Sequence, residues 1–405
     1  MADASALCSV EDALAALLAE TPLMPSEMVN SEGAFHRVLA ESVTAQLDVP
    51  PFANSAMDGY ALYHGDAGRV LPVSQRITAG AQPDRLALDS CARIFTGGLM
   101  PEGADTVVMQ EKVEETPQGI RFPQSIPRYN NVRPQGSDVQ AGSRLLSAGT
   151  RLDAAALGHL AGQGVTRLRV RRRPRIALLS TGDEIIEPGQ PLRPGQIYNT
   201  NRPMLRALLE SFGAEVSIVA AVPDQAQRTR QLLASSAADA DLVVTTGGVS
   251  VGEEDHVKAA IESLGQLDVW RLAMKPGKPL AIGRIPDAAG GSTVLVGLPG
   301  NPVSSFVGAW LFLRPLLGHM LDCAELKELP CLRANADFTT STGPRRHYMR
   351  VSLAFSSEGI KAHAYPDQNS GVLSSCVGAD ALAVIPPDTR IEPGDAVECL
   401  WLSAG

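Results

Sequence analysis

The chain has 405 residues, 44% hydrophobic and 20% charged, a composition that excludes a disordered tail and, at roughly 150 residues per domain, leaves room for several cores. Lys and Arg total 35 against 44 Asp and Glu, a net charge of −9 that argues against a general polyanion binder, so any anion it holds needs a local site. Aromatics, at 4%, are too sparse to stack single-stranded nucleic acid over a large surface.

The opening segment carries Glu11, Asp12 and Glu20 and has no basic run before its apolar part, so it does not read as a signal peptide, and a cytoplasmic protein is expected. Glu11 to Glu20 reads as a helix. From Asp48 to Asp138, short β-like runs are broken by Pro50-Pro51, Gly80, Gly97-Gly98, Pro101, Pro117 and Gly136, which predicts a small antiparallel domain. Inside it, Pro50-Pro-Phe-Ala-Asn-Ser-Ala-Met-Asp-Gly-Tyr-Ala61 mixes turn formers with Phe52, Met57 and Tyr60 and sets Asp58 just before Gly59. A functional loop and a packed interdomain corner both fit that mixture. Ala154 to Leu160 reads as a short helix capped by Asp153. Arg167-Leu-Arg-Val-Arg-Arg-Arg-Pro-Arg175 is the one strong basic cluster; nucleic-acid contact is the sharp reading, and a solvated strand leading into the next domain the favoured one.

From Pro174 to about Asp322, strands and helices alternate. Arg175 to Ser180 is an apolar run, and Asn201 to Phe212 a helix with Pro203 in its first turn and Gly213 ending it. Glu215 to Val222 reads as a strand, followed by a helix capped by Asp224, a fully buried strand over Asp241 to Thr246, and a helix over Glu254 to Leu264. Thr293 to Gly297 is a further strand and Val303 to Met320 an apolar helix. Such strand-helix units predict a doubly wound α/β domain with a parallel sheet and right-handed crossovers. The most apolar stretch, Val303 to Leu313, is shorter than the ~20 residues of a membrane helix and is closed by Arg314-Pro315, so it reads as a core helix. From about Lys327, alternation in His347-Tyr-Met-Arg-Val-Ser-Leu, Ala381-Leu-Ala-Val-Ile and Ala396-Val-Glu-Cys-Leu-Trp predicts a compact β-domain. The six cysteines are scattered without a CxxC pair, which points to neither a structural zinc nor a disulfide framework.

In a doubly wound sheet, ligands bind beyond the carboxyl ends of the strands. The loop Thr245-Thr-Gly-Gly-Val-Ser-Val-Gly-Glu-Glu-Asp255 offers Gly247, Gly248 and Gly252 for close backbone approach to a phosphate, with Ser250 adding a hydroxyl; a mere connecting turn is the bland alternative. Pro299-Gly-Asn-Pro-Val-Ser-Ser305 repeats the arrangement, with Gly300, Asn301 and Pro302 opening a helix whose first turn offers Ser304 and Ser305. Between them Met274-Lys-Pro-Gly-Lys-Pro279 sets Lys275 and Lys278 on a stiff turn, suited to neutralising an oxyanion. Asp183 and Glu184 end the first strand, Asp224 opens a helix and Asp255 follows the glycine loop. Carboxylates converging on phosphates repel them unless a hard cation lies between, which predicts Mg²⁺ on Glu184, Asp224 and Asp255, although Asp224 taken alone is as well explained as a helix cap.

Taken together, Pro51-Phe-Ala-Asn-Ser-Ala-Met-Asp-Gly-Tyr60, Thr96-Gly, Pro101-Glu-Gly-Ala-Asp105, Ser180-Thr-Gly-Asp-Glu184, Thr246-Gly-Gly-Val-Ser-Val-Gly252, Lys275-Pro-Gly-Lys278 and Gly297-Leu-Pro-Gly-Asn-Pro302 resemble the molybdopterin molybdenumtransferase family, to which the E domain of gephyrin also belongs. The resemblance spans nearly the whole chain. It implies an elongated N-terminal α+β domain over 1–47 and 140–173, a β-domain inserted over 48–139, a molybdopterin-binding α/β domain over 174–325 and a C-terminal β-barrel over 326–405. The implied reaction inserts molybdate into adenylylated molybdopterin with Mg²⁺-dependent cleavage of the pyrophosphate link and release of AMP. It also implies a homodimer whose sites draw on both subunits, with Asp58, Thr96 and Asp138 reaching across from the other one. Glu184, Asp224 and Asp255 would then position Mg²⁺ or activate a nucleophile, the glycine loop would hold phosphates, and Lys275 and Lys278 would hold molybdate. Arg345 and Ser370 look like the remaining oxyanion contacts, with Arg346 and Arg350 leaving the arginine register open. Transient contact with the adenylyltransferase and with molybdoenzyme chaperones is expected; nucleic acid and membrane are not. The competing readings are a molybdopterin adenylyltransferase, whose α/β domain is related, and a gephyrin-like scaffold.

Overall fold

The structure, a computed structural model, describes residues 7–218, 226–247, 256–286 and 291–402. Helix α1 (Val10–Ala19) is capped by Ser9, whose hydroxyl accepts from the Asp12 amide, and buries Val10, Ala13 and Leu17. Strand β1 (Ser26–Asn30) follows. The small sheet after it contains β2 (Gly59–Leu62), β3 (Val73–Ile77), β4 (Cys91–Ile94) and β5 (Thr106–Met109) in the order β3-β4-β2-β5. Its β2 pairings are antiparallel, but β3 and β4 run parallel, a departure from the all-antiparallel domain that the turn-rich sequence predicts. Two apolar clusters, one around Tyr60, Leu62 and Val108 and one around Ala61, Ile94 and Val107, pack it from both faces, as strands alternating side to side require.

Helix α2 (Ala154–Ala161) is capped by Asp153, which accepts from the Ala156 amide at 2.7 Å. Strand β6 (Arg167–Arg171) pairs antiparallel with β1. The basic run is thus a strand leading into the α/β domain, with Arg167 and Arg169 exposed and Leu168 and Val170 turned to the core. Arg172 grips Asp241 with two bonds of 2.8 and 2.9 Å, and the Arg175 amide adds a third to the same carboxylate, fixing the entry to the α/β domain. Those donors hold the Asp241 carboxyl below the usual range against the opposing effect of its burial.

The α/β domain comprises β7 (Arg175–Ser180), α3 (Asn201–Ser211), β8 (Glu215–Ile218), α4 (Ala226–Asp239), β9 (Leu242–Thr246), α5 (His256–Leu264), β10 (Gln266–Arg271), the two-residue β11 (Met274–Lys275), β12 (Pro279–Pro286), β13 (Ser292–Leu298), and a helix entered at Pro302. That last helix runs as α6 (Pro302–Gly308) through a π turn over Ala309–Leu313 into α7 (Arg314–Leu321). The sheet order is β8-β7-β9-β13-β12-β10. Four strands are parallel, as predicted, and β12 and β10 extend the sheet antiparallel. The apolar runs alternate: Ile176, Leu178, Leu242, Val244, Val294 and Val296 face α1, α3 and the α6–α7 rod, while Ala177, Leu179, Val243 and Leu295 face α4 and α5. Each fully buried Leu or Phe contributes roughly 1.5–3 kcal/mol, so Leu205, Leu209 and Phe212 are enough to hold α3 against the sheet.

Strands β14 (Cys331–Ala336), β15 (Arg346–Ser356), β16 (Gly359–Ala364), β17 (Ala381–Ile385) and β18 (Ala396–Trp401) close into a barrel in the order β15-β16-β14-β18-β17, with β17 returning to β15. The lysine-bearing β11 pairs parallel with β15, Lys275 opposite His347, so the α/β domain contributes a strand to the barrel's sheet. Among the described residues no helix is long and apolar enough to cross a membrane.

Candidate functional site

Three loops meet at the carboxyl edge of the parallel strands. The Gly247 amide donates to Leu298 O at 3.1 Å, and the Thr181 amide to Thr246 O at 3.3 Å, tying the loops after β7, β9 and β13 together. Gly247 has φ +81°, a conformation costly for residues with a side chain, and a Cβ on Gly300 would lie 3.8 Å from its Cα. Buried Asn201, at the start of α3, donates to Gly300 O at 2.7 Å and leaves its own Oδ1 without a partner among the described residues. Pro302 takes the first position of α6, where its missing N–H costs nothing. Asn301 makes no side-chain cap, so the helix opens with amides uncovered by its own residues; one of them, from Val303, donates to Ser370 O at 3.1 Å. Ser304 is buried, and Ser305 is spent on Pro299 O at 2.5 Å.

The lysine turn packs onto this helix start. Leu272 N donates to Lys278 O at 2.7 Å across its base, and Gly277, at φ +84°, would place a Cβ 3.4 Å from Ser304 Cβ. Lys275 and Lys278 are exposed, and neither forms an ion pair among the described residues. Arg345 Nη1 reaches Met274 O at 3.4 Å, on the same turn. The result is a cavity of about 730 Å³ lined by Gly247, Lys275, Lys278, Pro299, Gly300, Asn301, Ser304, Arg345 and Ser370, together with three residues that sequence reasoning missed, Asp367, Gln368 and Asn369. Three cationic side chains converge there beside the start of α6, which suits an oxyanion. Burial first, then Lys275 and Arg345, hold the His347 imidazole below the ordinary range.

The three arginines divide their work. Arg345 faces the cavity, whereas Arg346 pairs with Glu11 on α1, an interaction that raises its pKa further. Arg350 is fully buried beneath the loop, with Nε on Ser375 Oγ at 2.9 Å and Nη2 on Asn369 O at 3.3 Å. Gln368 is clamped to the Arg350 main chain in both directions, at 3.0 Å each. The polar run Asp367-Gln-Asn-Ser-Gly371 between two alternating strands was the available signal for this wall.

The remaining expected residues lie elsewhere. Glu184 is exposed on the loop after β7, with its carboxylate folded over Gly182, where a Cβ would come within 2.5 Å of Oε2. Gly248, Ser250, Gly252, Asp224 and Asp255 lie outside the described residues. Among the described residues no three His, Cys, Asp or Glu side chains group as metal ligands. Asp58 and Thr96 sit together in the inserted domain: Asp58 Oδ1 accepts from both the Thr96 amide and its hydroxyl at 2.8 Å. These bonds hold the Asp58 carboxyl below its usual range, with a smaller push from Arg93. Arg93 braces this corner, donating to Gly59 O at 2.8 Å with its guanidinium 4.5 Å from the Phe95 ring and 5.2 Å from that of Tyr60. Asp138 is exposed at the edge of the same domain, its amide bonded to Val49 O at 2.9 Å. None of these three lines the cavity.

Three family models match successive parts of the chain: the MoeA N-terminal region (domain I and II) over residues 8–164, a probable molybdopterin binding domain over 177–319, and the MoeA C-terminal region (domain IV) over 333–402. A molybdopterin molybdenumtransferase from Haemophilus influenzae is 33% identical, with 96% of this chain and 98% of that one aligned. Another, from a Nostoc species, is 37% identical over 93% of this chain and 89% of its own. A crystal structure of the molybdopterin biosynthesis moeA protein from Pyrococcus horikoshii superposes with a TM-score of 0.83 at 25% identity, covering 98% of this chain and all of that one. With relatives at this identity aligned from end to end, the chain belongs to the molybdopterin molybdenumtransferase family.

Proposed function

We propose that this chain completes the molybdenum cofactor: it takes molybdate and adenylylated molybdopterin, joins the metal to the pterin and releases AMP as the pyrophosphate link is cleaved. The observation that carries the reading is the cavity in which Lys275, Lys278 and Arg345 converge on the start of α6. Molybdate is a tetrahedral dianion, and its capture calls for several positive groups on a pre-formed wall, since rigid donors lose little on binding. The lysines supply point charges and Arg345 a planar fork. Gly247 and Gly300 allow backbone to approach the phosphates of the second substrate. Matches to the N-terminal and C-terminal regions, beyond the α/β domain alone, favour insertion over adenylyl transfer.

Mg²⁺ would neutralise the pyrophosphate as it breaks. Of the carboxylates expected to hold it, Glu184 is exposed and makes no ion pair among the described residues, so its oxygens fit a hard cation; Asp224 and Asp255 complete the proposed set. The working unit is a homodimer, in which Asp58, Thr96 and Asp138 of one subunit serve the cavity of the other, in the cytoplasm, with passing contacts to the adenylyltransferase upstream and to molybdoenzyme chaperones downstream. The test is AMP release from adenylylated molybdopterin, with molybdate and Mg²⁺ each supplied or withheld. Release that needs both supports the reading; consumption of ATP with free molybdopterin in its place overturns it.

A further inference from the structure

One charge in the cavity does not belong with the others. Asp367 lines the same cavity as the cationic cluster, exposed and electrostatically favourable to the buried Arg350 behind it, but makes no ion pair with Lys275, Lys278 or Arg345. A carboxylate that shares a cavity with three cations works against anion capture, because like charges repel. The wall that carries it is also unusually well fixed. Arg350 Nη2 holds Asn369 O, Gln368 is clamped to the Arg350 backbone, Ser370 O accepts from Val303 at the start of α6, and Asp367 Oδ1 itself accepts from the Asn369 amide at 2.8 Å. The second carboxylate oxygen has no partner among the described residues. Beside it, Asn369 uses its side-chain oxygen on the Gly371 amide, which leaves its amide NH₂ as a donor.

A rigid wall that offers a carboxylate next to an amide donor is complementary to a flat ring edge with two N–H donors followed by a carbonyl acceptor. The 2-amino-4-oxopyrimidine edge of a pterin has that sequence: the exocyclic amine, the N3–H and the 4-oxo oxygen. We propose that Asp367 is the specificity-determining residue that reads the pterin edge of the substrate, with Asn369 meeting the 4-oxo group, while Lys275, Lys278 and Arg345 take its anionic end and molybdate. The inference rests on the cavity being the molybdopterin site. It assigns the two walls to the two chemically different ends of one substrate.

The test is Asp367→Asn in the full chain, with two ligands read separately. The KM for adenylylated molybdopterin should rise roughly ten- to hundredfold, as expected when a charged acceptor is lost from a site built for N–H donors. Molybdate, whose binding is followed by calorimetry, should bind unchanged or up to about threefold tighter, since a repelling charge has gone. A pterin phosphate and its N3-methyl derivative give a second readout: the wild type should prefer the unmethylated ring, and Asp367→Asn should not. An unchanged KM, or parallel weakening of both ligands, which would mark Asp367 as a structural neighbour of Arg350, overturns the proposal. If the wild type neither binds adenylylated molybdopterin nor releases AMP, the underlying reading falls first, and that outcome is seen before any variant is made.

Discussion

The cavity at the α/β–barrel junction and the Asp58–Thr96 corner of the inserted domain are built on opposite plans. In the cavity the charged ends of Lys275 and Lys278 are left without partners among the described residues, while groups behind them are held in hydrogen bonds: Arg350 to Ser375 and Asn369, Ser305 to Pro299, and the Asn201 side-chain NH₂ to Gly300 O. In the corner the candidate groups are bonded to each other, Asp58 to Thr96, and Arg93 locks the backbone around them. Unspent charge on a rigid backing marks a place ready to take a ligand. A carboxylate already holding two donors marks a fixed acceptor, poor as a base.

The largest effect that can break this contrast is at Lys275. Lys275→Ala should lower AMP release on the order of 10²–10³-fold with an unchanged thermal unfolding profile, because the exposed ammonium supports the anion and not the core. Loss of the fold instead would move Lys275 to the structural side. Next comes the backing: Arg350→Met should cost about 3 kcal/mol in denaturant unfolding and loosen molybdate binding together, since the loop carbonyl and Ser375 lose a buried donor. A stable variant with normal affinity would mean that the wall holds itself. Mixing Asp58→Asn chains with Lys275→Ala chains addresses the other region; if each site spans two subunits, random pairing restores roughly a quarter of wild-type turnover from two dead parents. No recovery from two dead parents would confine both residues to one chain, and a fully active Asp58→Asn parent would place the corner outside the reaction.

The smallest effect concerns charge. Thr96→Val removes the hydroxyl donor but keeps the amide, so the Asp58 carboxyl should titrate higher than in the wild type, though still below the unperturbed value, by NMR. The sign follows from linkage. A carboxyl depressed in the folded state stabilises the fold above its unfolded pKa, and that contribution disappears as pH falls through the depressed value. The variant should therefore lose it at a slightly higher pH than the wild type, in acid titrations followed by circular dichroism.

The central strands were legible because buried parallel strands are continuous apolar runs, and Arg175–Ser180, Leu242–Thr246 and Ser292–Leu298 are of that kind. Gln266–Arg271 was not, since Gln266, Asp268 and Arg271 break the run on an edge strand with one polar side. The glycine, lysine and Pro299 loops announced themselves by residue type, and their convergence followed from the rule for strand ends. Asp367 and Asn369 did not, because their place depends on the barrel docking against a turn some ninety residues earlier, a long-range contact that local pattern does not encode. The arginine register was only half legible: the resemblance pointed to Arg345 with Arg346 and Arg350 left open, and which of them lines the cavity is decided by where β15 begins and which way its first residues turn.

One seam has a mechanical consequence. Because Met274 and Lys275 run in register with Arg346 and His347, with the Arg346 amide on Ala273 O at 2.9 Å, the α/β domain and the barrel are stitched by main chain and not merely pressed together. Parting them to admit a substrate would tear those bonds, each worth about 1 kcal/mol, and drag the ammonium groups away at the moment they are needed. Transplanting a foreign barrel onto this α/β domain would therefore misplace Lys275 unless the grafted strand supplied the same backbone rungs.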